Sequence, residues 1–245
     1  VGQIDGRALG DMFLSGGAVQ ADGGGVGISG RDDSGITFDF AALDGSNGFR
    51  VIPPAGENLN VADFNNVAAA GDFNGDGLVD IVLGAYGAGP GPGTTNNNNG
   101  ASISAGRGYV VFGTASHGNL IDLSAFDSSQ GFVIEGGEVT DHTGCSISDA
   151  GDINGDGFDD VIVSAPGASP NGLDFSGTTY IVFGQSAALA ATQALTAVAD
   201  VTVNGALYAY HTSGFSLESA GDINGDGFDD LLLGRGPFYG VDAGA

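Results

Sequence analysis

Apolar residues in this chain come in short runs, and most runs are closed by glycine or a polar turn. Examples are Ile81-Val-Leu-Gly84, Tyr109-Val-Val-Phe-Gly113, Val161-Ile-Val-Ser164, Thr179-Tyr-Ile-Val-Phe-Gly184 and Leu231-Leu-Leu-Gly234. Runs of this length, rich in β-branched and aromatic residues and bounded by turn formers, predict β-strands. They also recur in a fixed order. A Gly-Phe pair opens one run (Gly48-Phe49, Gly131-Phe132), and a short strand then leads into a polar loop (Val67–Ala70, Ile147–Ala150). The strand after the loop ends in Gly-Ala-Tyr-Gly-Ala88 or Ser-Ala-Pro-Gly-Ala168, and a run closing on Phe-Gly follows. One unit therefore predicts about four short strands.

The polar loop is nearly the same sentence three times. It reads Gly-Asp-Phe-Asn-Gly-Asp-Gly-Leu-Val-Asp over residues 71–80, and Gly-Asp-Ile-Asn-Gly-Asp-Gly-Phe-Asp-Asp over 151–160 and 221–230. Counted from its first Asp, each loop sets oxygen-bearing side chains at positions 1, 3, 5 and 9, the pattern by which a short peptide wraps a hard cation such as calcium. The expected side-chain ligands are Asp72, Asn74, Asp76 and Asp80, with Leu78 contributing its backbone carbonyl. The same roles fall to Asp152, Asn154, Asp156, Phe158 and Asp160, and to Asp222, Asn224, Asp226, Phe228 and Asp230. An EF-hand needs a Glu at position 12 and flanking helices. Position 12 here is Leu83, Val163 or Leu233, each inside a β-type run. Three calcium ions in strand-flanked loops are the expectation.

A fourth, decayed copy opens the chain, since Gly2 to Asp11 overlays Gly151 to Asp160. Gln3 and Arg7 stand where the first and third ligands belong, and a guanidinium would repel calcium, so no metal is expected there. Units begin near residues 3, 72, 152 and 222, and an Asn-rich insertion within Gly89–Gly106 accounts for the longer spacing between the second and third. Four-stranded units repeated radially make a β-propeller. The expected fold class is all-β, with residues 1–245 forming one propeller segment of a little over three blades. The opening Val1-Gly-Gln-Ile-Asp5 predicts a processed chain or a piece of a longer one.

Charge narrows the partners. Thirty acidic residues against five basic ones leave a net charge of −25, which argues against nucleic acid and anionic membranes. Eleven of the acids lie in the three loops. No apolar run is long enough to span a bilayer. Cys145 is the only cysteine, so no internal disulfide is possible, and its neighbours predict a buried structural thiol.

Taken together, Asp-x-Asn-x-Asp-Gly-x-x-Asp, the strand after it, Gly-Ala-Tyr-Gly-Ala or Ser-Ala-Pro-Gly-Ala, and Tyr-Val-Val-Phe-Gly resemble the FG-GAP repeat. The family builds the seven-bladed propeller of integrin α-subunit heads and recurs in bacterial secreted proteins, to whose wording these copies are closer. The resemblance covers essentially the whole chain, more weakly over residues 1–30 and 185–212. It implies calcium in a hairpin loop on one face of each blade, with ligand-binding surfaces mainly on other loops.

Other signals weigh little. Gly25-Val-Gly-Ile-Ser-Gly30 matches a dinucleotide fingerprint but is not followed by a helix pattern. His117, His142 and His211 share no register, and Asp141 beside His142 reads as a loop hydrogen bond before it reads as catalysis. Tyr208 and Tyr210 fit one face of an alternating strand better than a sugar-stacking surface. The expectation is a non-enzymatic, calcium-binding adhesion or structural module, secreted or at the cell surface. Its partner would be a protein or surface glycan, further copies of itself, or the rest of a longer chain. A carbohydrate-binding (lectin-like) propeller and a non-catalytic propeller attached to a secreted hydrolase are the alternatives.

Overall fold

The computed structural model describes residues 12–13, 49–54, 67–88, 105–115, 118, 120–205 and 211–237. The degenerate first loop with Gln3 and Arg7, the Gly25–Gly30 motif, His117, Tyr208, Tyr210 and nearly all of the Asn-rich insertion lie outside the described residues. The chain divides into two compact units, residues 1–55 with 114–126, and residues 56–113 with 127–245.

In the first unit β1 (Met12–Phe13) pairs antiparallel with β2 (Phe49–Ile52), and β2 pairs parallel with β6 (Leu120–Asp122). Side chains alternate as a pleated strand requires. Phe49 and Val51 are buried and Arg50 and Ile52 exposed, while Ile121 is buried between exposed neighbours. A one-turn 3-10 helix, Leu123–Ala125, follows β6, and the Asp122 carboxylate caps it by accepting the Ser124 N–H at 2.9 Å.

The second unit holds the repeats. β3 (Val67–Ala69), β4 (Ile81–Ala85), β5 (Arg107–Val111) and β7 (Gly131–Glu135) form an antiparallel meander. The next repeat repeats it as β8 (Ile147–Gly151), β9 (Asp160–Ala165), β10 (Thr178–Val182) and β12 (Val201–Asn204). The third shows β13 (His211–Gly221) paired with β14 (Asp230–Pro237). The four strands expected per unit are present in the first two of these repeats. One boundary differs from expectation: β5 and β10 stop before Phe-Gly, and Phe112-Gly113 and Phe183-Gly184 leave the ladder.

The Ala-rich stretch after Gln185 holds more order than its composition suggested. β11 (Thr192–Ala194) adds a parallel fifth strand to β7 of the preceding repeat, and a single helical turn, α1 (Leu195–Val198), drops Leu195 into the core between the two sheets. Leaving one repeat to pair with its neighbour is also what the parallel strand β6 does beside β2 in the first unit.

The cores lie between successive sheets. Ala70, Phe73, Val82, Val110, Phe132 and Ile134 of one repeat meet Ile147, Val161, Val163 and Val182 of the next. On the other face of that second sheet, Ala150, Ile162 and Ile181 pack with Leu217. Cys145 is buried in the turn before β8, and burial pushes its thiol up to about 12. Among the described residues no helix is long and apolar enough to cross a membrane.

Phe132 is fully buried, with ring centroids 5.5 Å from Phe73 and 6.3 Å from Phe112. Phe132→Ala opens a cavity at this junction and is expected to cost about 3–5 kcal/mol. Urea unfolding followed by far-UV circular dichroism measures it.

Candidate metal loops

Each loop bends because glycine takes backbone angles closed to other residues. Gly75 and Gly77 have φ of 73° and 86°, and Gly155, Gly157, Gly225 and Gly227 repeat them. That curvature turns N–H groups inward, and the carboxylates collect them. In the first loop Asp72 accepts the N–H groups of Asp76 and Gly77, both at 2.9 Å, and Asp76 accepts that of Leu78 at 2.9 Å. The second loop repeats the pattern with Asp152, Asp156, Gly157 and Phe158, and the third with Asp222, Asp226, Gly227 and Phe228. The Asn at position 3 accepts the N–H of position 5 in all three.

In the first two loops position 9 differs in being inside. Asp80 and Asp160 expose none of their surface. Asp80 accepts the Gly113 N–H at 2.7 Å and the Asn74 N–H at 3.3 Å. Asp160 accepts those of Gly184 at 2.9 Å and Ile153 at 3.0 Å. Burial pushes each carboxyl up to about 6 against these hydrogen bonds, and the charges of positions 5 and 1 push the same way. In the third loop Asp230 accepts from the Ile223 N–H and from the Asn224 side-chain amide.

These contacts give the Phe-Gly glycine a role that sequence reasoning had used only as a marker of repeat position. Its N–H holds the buried carboxylate, and a Cβ on Gly113 or Gly184 would run into the backbone carbonyl of Val79 or Asp159. Two further residues were missed. Asp159 reaches back from the second loop to accept the Asp72 N–H at 2.6 Å, and Asp229 does the same to Asp152 at 3.0 Å. The Phe158 ring fills the notch at Gly75 and the Phe228 ring that at Gly155. The signal was in the text: copies two and three read Phe-Asp-Asp where copy one reads Leu-Val-Asp.

Each loop thus gathers its five expected residues into one turn with an all-oxygen donor set. Among the described residues, however, no three His, Cys, Asp or Glu side chains converge closely enough to hold a metal, because the carboxylates face backbone N–H groups. At the weighed catalytic pair, the Asp141 carboxylate accepts the Glu138 N–H at 2.9 Å, a loop hydrogen bond, and burial raises its pKa.

The FG-GAP repeat family matches residues 64–103 and 146–182, which span the first two loops and the strands that follow them. Among similar proteins are a phosphatidylinositol-glycan-specific phospholipase D of Bos taurus and integrin alpha-4 of Xenopus laevis. The first is 31% identical over 68% of this chain and 18% of its own length, the second 29% over 70% and 14%. Integrin alpha-PS2 of Drosophila melanogaster is 28% identical over 70% of this chain and 11% of its own. The chain is an FG-GAP repeat protein, and its sheets are β-propeller blades. It spans about a fifth or less of the length of these relatives.

Two substitutions test the geometry. Asp159→Ala removes a part-buried hydrogen bond to an ionised acceptor and is expected to cost about 1.5 kcal/mol, read from urea midpoints. Asp149 is raised by burial first and then by the charges of Asp159, Asp229 and Glu218. A carboxyl raised in the folded state stabilises while protonated, and that contribution fades as pH climbs through its folded value. Asp149→Asn keeps the neutral form, so it is expected to raise the midpoint at pH 7, with the gain shrinking toward pH 3.

Proposed function

We propose that this chain is a calcium-stabilised extracellular interaction module in which three loops each hold one ion. The ligands are Asp72, Asn74, Asp76, the Leu78 carbonyl and Asp80; Asp152, Asn154, Asp156, the Phe158 carbonyl and Asp160; and Asp222, Asn224, Asp226, the Phe228 carbonyl and Asp230. The observation carrying this reading is the buried position-9 carboxylate of the first two loops, Asp80 and Asp160, which burial first and then the charges of positions 5 and 1 hold above the usual carboxylate range. Such a cluster repels itself, and a divalent ion turns the repulsion into a crosslink. Oxygen donors of this kind suit calcium in the millimolar range found outside cells. The bound ion supplies charge neutralisation. The chain's own residues supply the curved backbone, the buried anchor and the tie to the third strand.

The role is architectural and non-catalytic, at a cell surface or in a secreted protein, with a protein surface as partner and adhesion as the use. A second reading is favoured by the phospholipase D relatives: a non-catalytic propeller carried by a larger secreted hydrolase. Activity assays on the full-length polypeptide, with and without residues 1–245, separate the two.

Calcium removal tests the metal. With dissociation constants of 10⁻⁴–10⁻³ M, each site contributes roughly 0.4–1.4 kcal/mol at millimolar calcium. Melting temperature is expected to fall in excess chelator and to recover with calcium. Asp156→Ala is expected to lower the ion count by one in native mass spectrometry. Equal melting with and without chelator overturns the reading.

A further inference from the structure

Asn-Gly stands at positions 3 and 4 of every loop, as Asn74-Gly75, Asn154-Gly155 and Asn224-Gly225. The pair carries a reaction of its own. A backbone nitrogen can attack the side-chain carbonyl of the asparagine before it, and glycine has no Cβ to block the approach. In the second loop the groups around that reaction are already placed. The Gly155 N–H donates to Asp152 Oδ1 at 2.7 Å, so the attacking nitrogen has a carboxylate on its proton. Asn154 Oδ1 accepts the Asp156 N–H at 2.8 Å, which sets a donor on the oxygen that gains charge during attack. Asn154 Nδ2, the leaving nitrogen, donates to Asp156 Oδ2 at 2.9 Å. A base within hydrogen-bond reach of the proton and a donor on the developing oxyanion are the two aids such an attack needs. Gly155 and Asp156 are exposed, so water reaches the turn.

The third loop repeats the first two contacts, with the Gly225 N–H on Asp222 at 2.6 Å and the Asp226 N–H on Asn224 at 2.9 Å. Two other pairs differ. In the first loop the Asp72 carboxylate takes the N–H groups of Asp76 and Gly77, and that of Gly75 is not among its donors. A neighbouring ring packs at Gly75 and at Gly155 alike, so cover does not distinguish these two loops. At Asn204-Gly205 the glycine is buried and its N–H is held by the Gly177 carbonyl at 2.8 Å, which is no base.

We propose that Asn154-Gly155, and Asn224-Gly225 in the same way, is a self-modification site at which the loop converts its own asparagine to isoaspartate and aspartate. The Gly155 nitrogen bonds to Asn154 Cγ while its proton passes to Asp152. The Cγ–Nδ2 bond then breaks, and ammonia leaves with that proton, which leaves a succinimide ring. Water adds to either ring carbonyl and opens it, to isoaspartate or to aspartate. Nothing is oxidised or reduced, and water is the sole co-reactant. Both products add a carboxylate to a loop that already holds Asp152, Asp156, Asp159 and Asp160. Isoaspartate also lengthens the main chain by a methylene, which breaks the contact between Asn154 and the Asp156 N–H. The composition of the loop therefore changes with the age of the chain. The proposal does not rest on calcium.

The test incubates the intact chain in excess chelator, with far-UV circular dichroism to confirm that it stays folded. Peptide mass spectrometry follows the change from amide to acid at each pair, and electron-transfer fragmentation separates isoaspartate from aspartate. A urea-unfolded sample gives the rate of each pair without structure. In the folded chain Asn154 is expected to convert about tenfold or more faster than Asn74, with Asn204 the slowest of the three. Asp152→Asn keeps the side chain's size and removes the base. It is expected to slow Asn154 by about tenfold or more and to leave Asn74 and Asn204 unchanged. Should that variant unfold, Asn204 rises to its rate in urea, and the wild-type chain decides alone. A ratio of Asn154 to Asn74 no larger in the folded chain than in urea overturns the proposal. So does a folded Asp152→Asn chain that converts Asn154 at the wild-type rate.

Discussion

A carboxylate with no exposed surface must be held by donors, and at position 9 of the first two loops that requirement organises the repeat. Asp80 and Asp160 sit at the start of the strand after the loop, where their side chains point inward. Two backbone N–H groups meet each of them, one from the loop and one from the glycine two residues past the next-but-one strand. The loop cannot swing away without leaving a buried acceptor unpaired, at a cost of about 1–3 kcal/mol or more for a charged group. The glycine cannot carry a side chain without striking the loop backbone. One polar contact thus ties a turn, the strand after it and the strand beyond that.

Apolar burial then works between repeats rather than within them. A single four-stranded sheet has two faces to cover, and each is covered by a neighbour, as in repeat architectures generally. The contacts across that boundary are layered: aliphatic side chains in the middle, the Phe-Asp pair at the loop end, and the parallel strand β11 at the outer edge. Each reaches from one repeat into the one before it, which gives the array a direction.

The same repeats occur in chains named integrin and in chains named phospholipase D, so the repeat does not specify a chemistry. What it specifies is a stack of sheets with acidic turns along one end. This chain carries a large negative charge and puts eleven of its acidic residues into three turns. Those turns hold themselves together by hydrogen bonds from their own backbone. That is the electrostatic setting in which a bound cation contributes most to folding.

Much of this was legible in the residues alone. Strand type and order follow from short β-branched runs closed by glycine. The polar side chains each loop gathers are written in the spacing of Asp and Asn, because a tight turn places positions 1, 3, 5 and 9 in one loop whatever surrounds it. Tertiary structure decided the rest, because the relevant partners are distant in sequence. Gly113 and Gly184 hold a carboxylate 33 and 24 residues away. Asp159 and Asp229 serve a loop one repeat earlier, and the Ala-rich stretch becomes strand and turn only because a neighbouring sheet offers an edge and a core to Leu195. Local spacing fixes which side chains a turn gathers, whereas only the packing of one repeat on the next fixes which turns are joined.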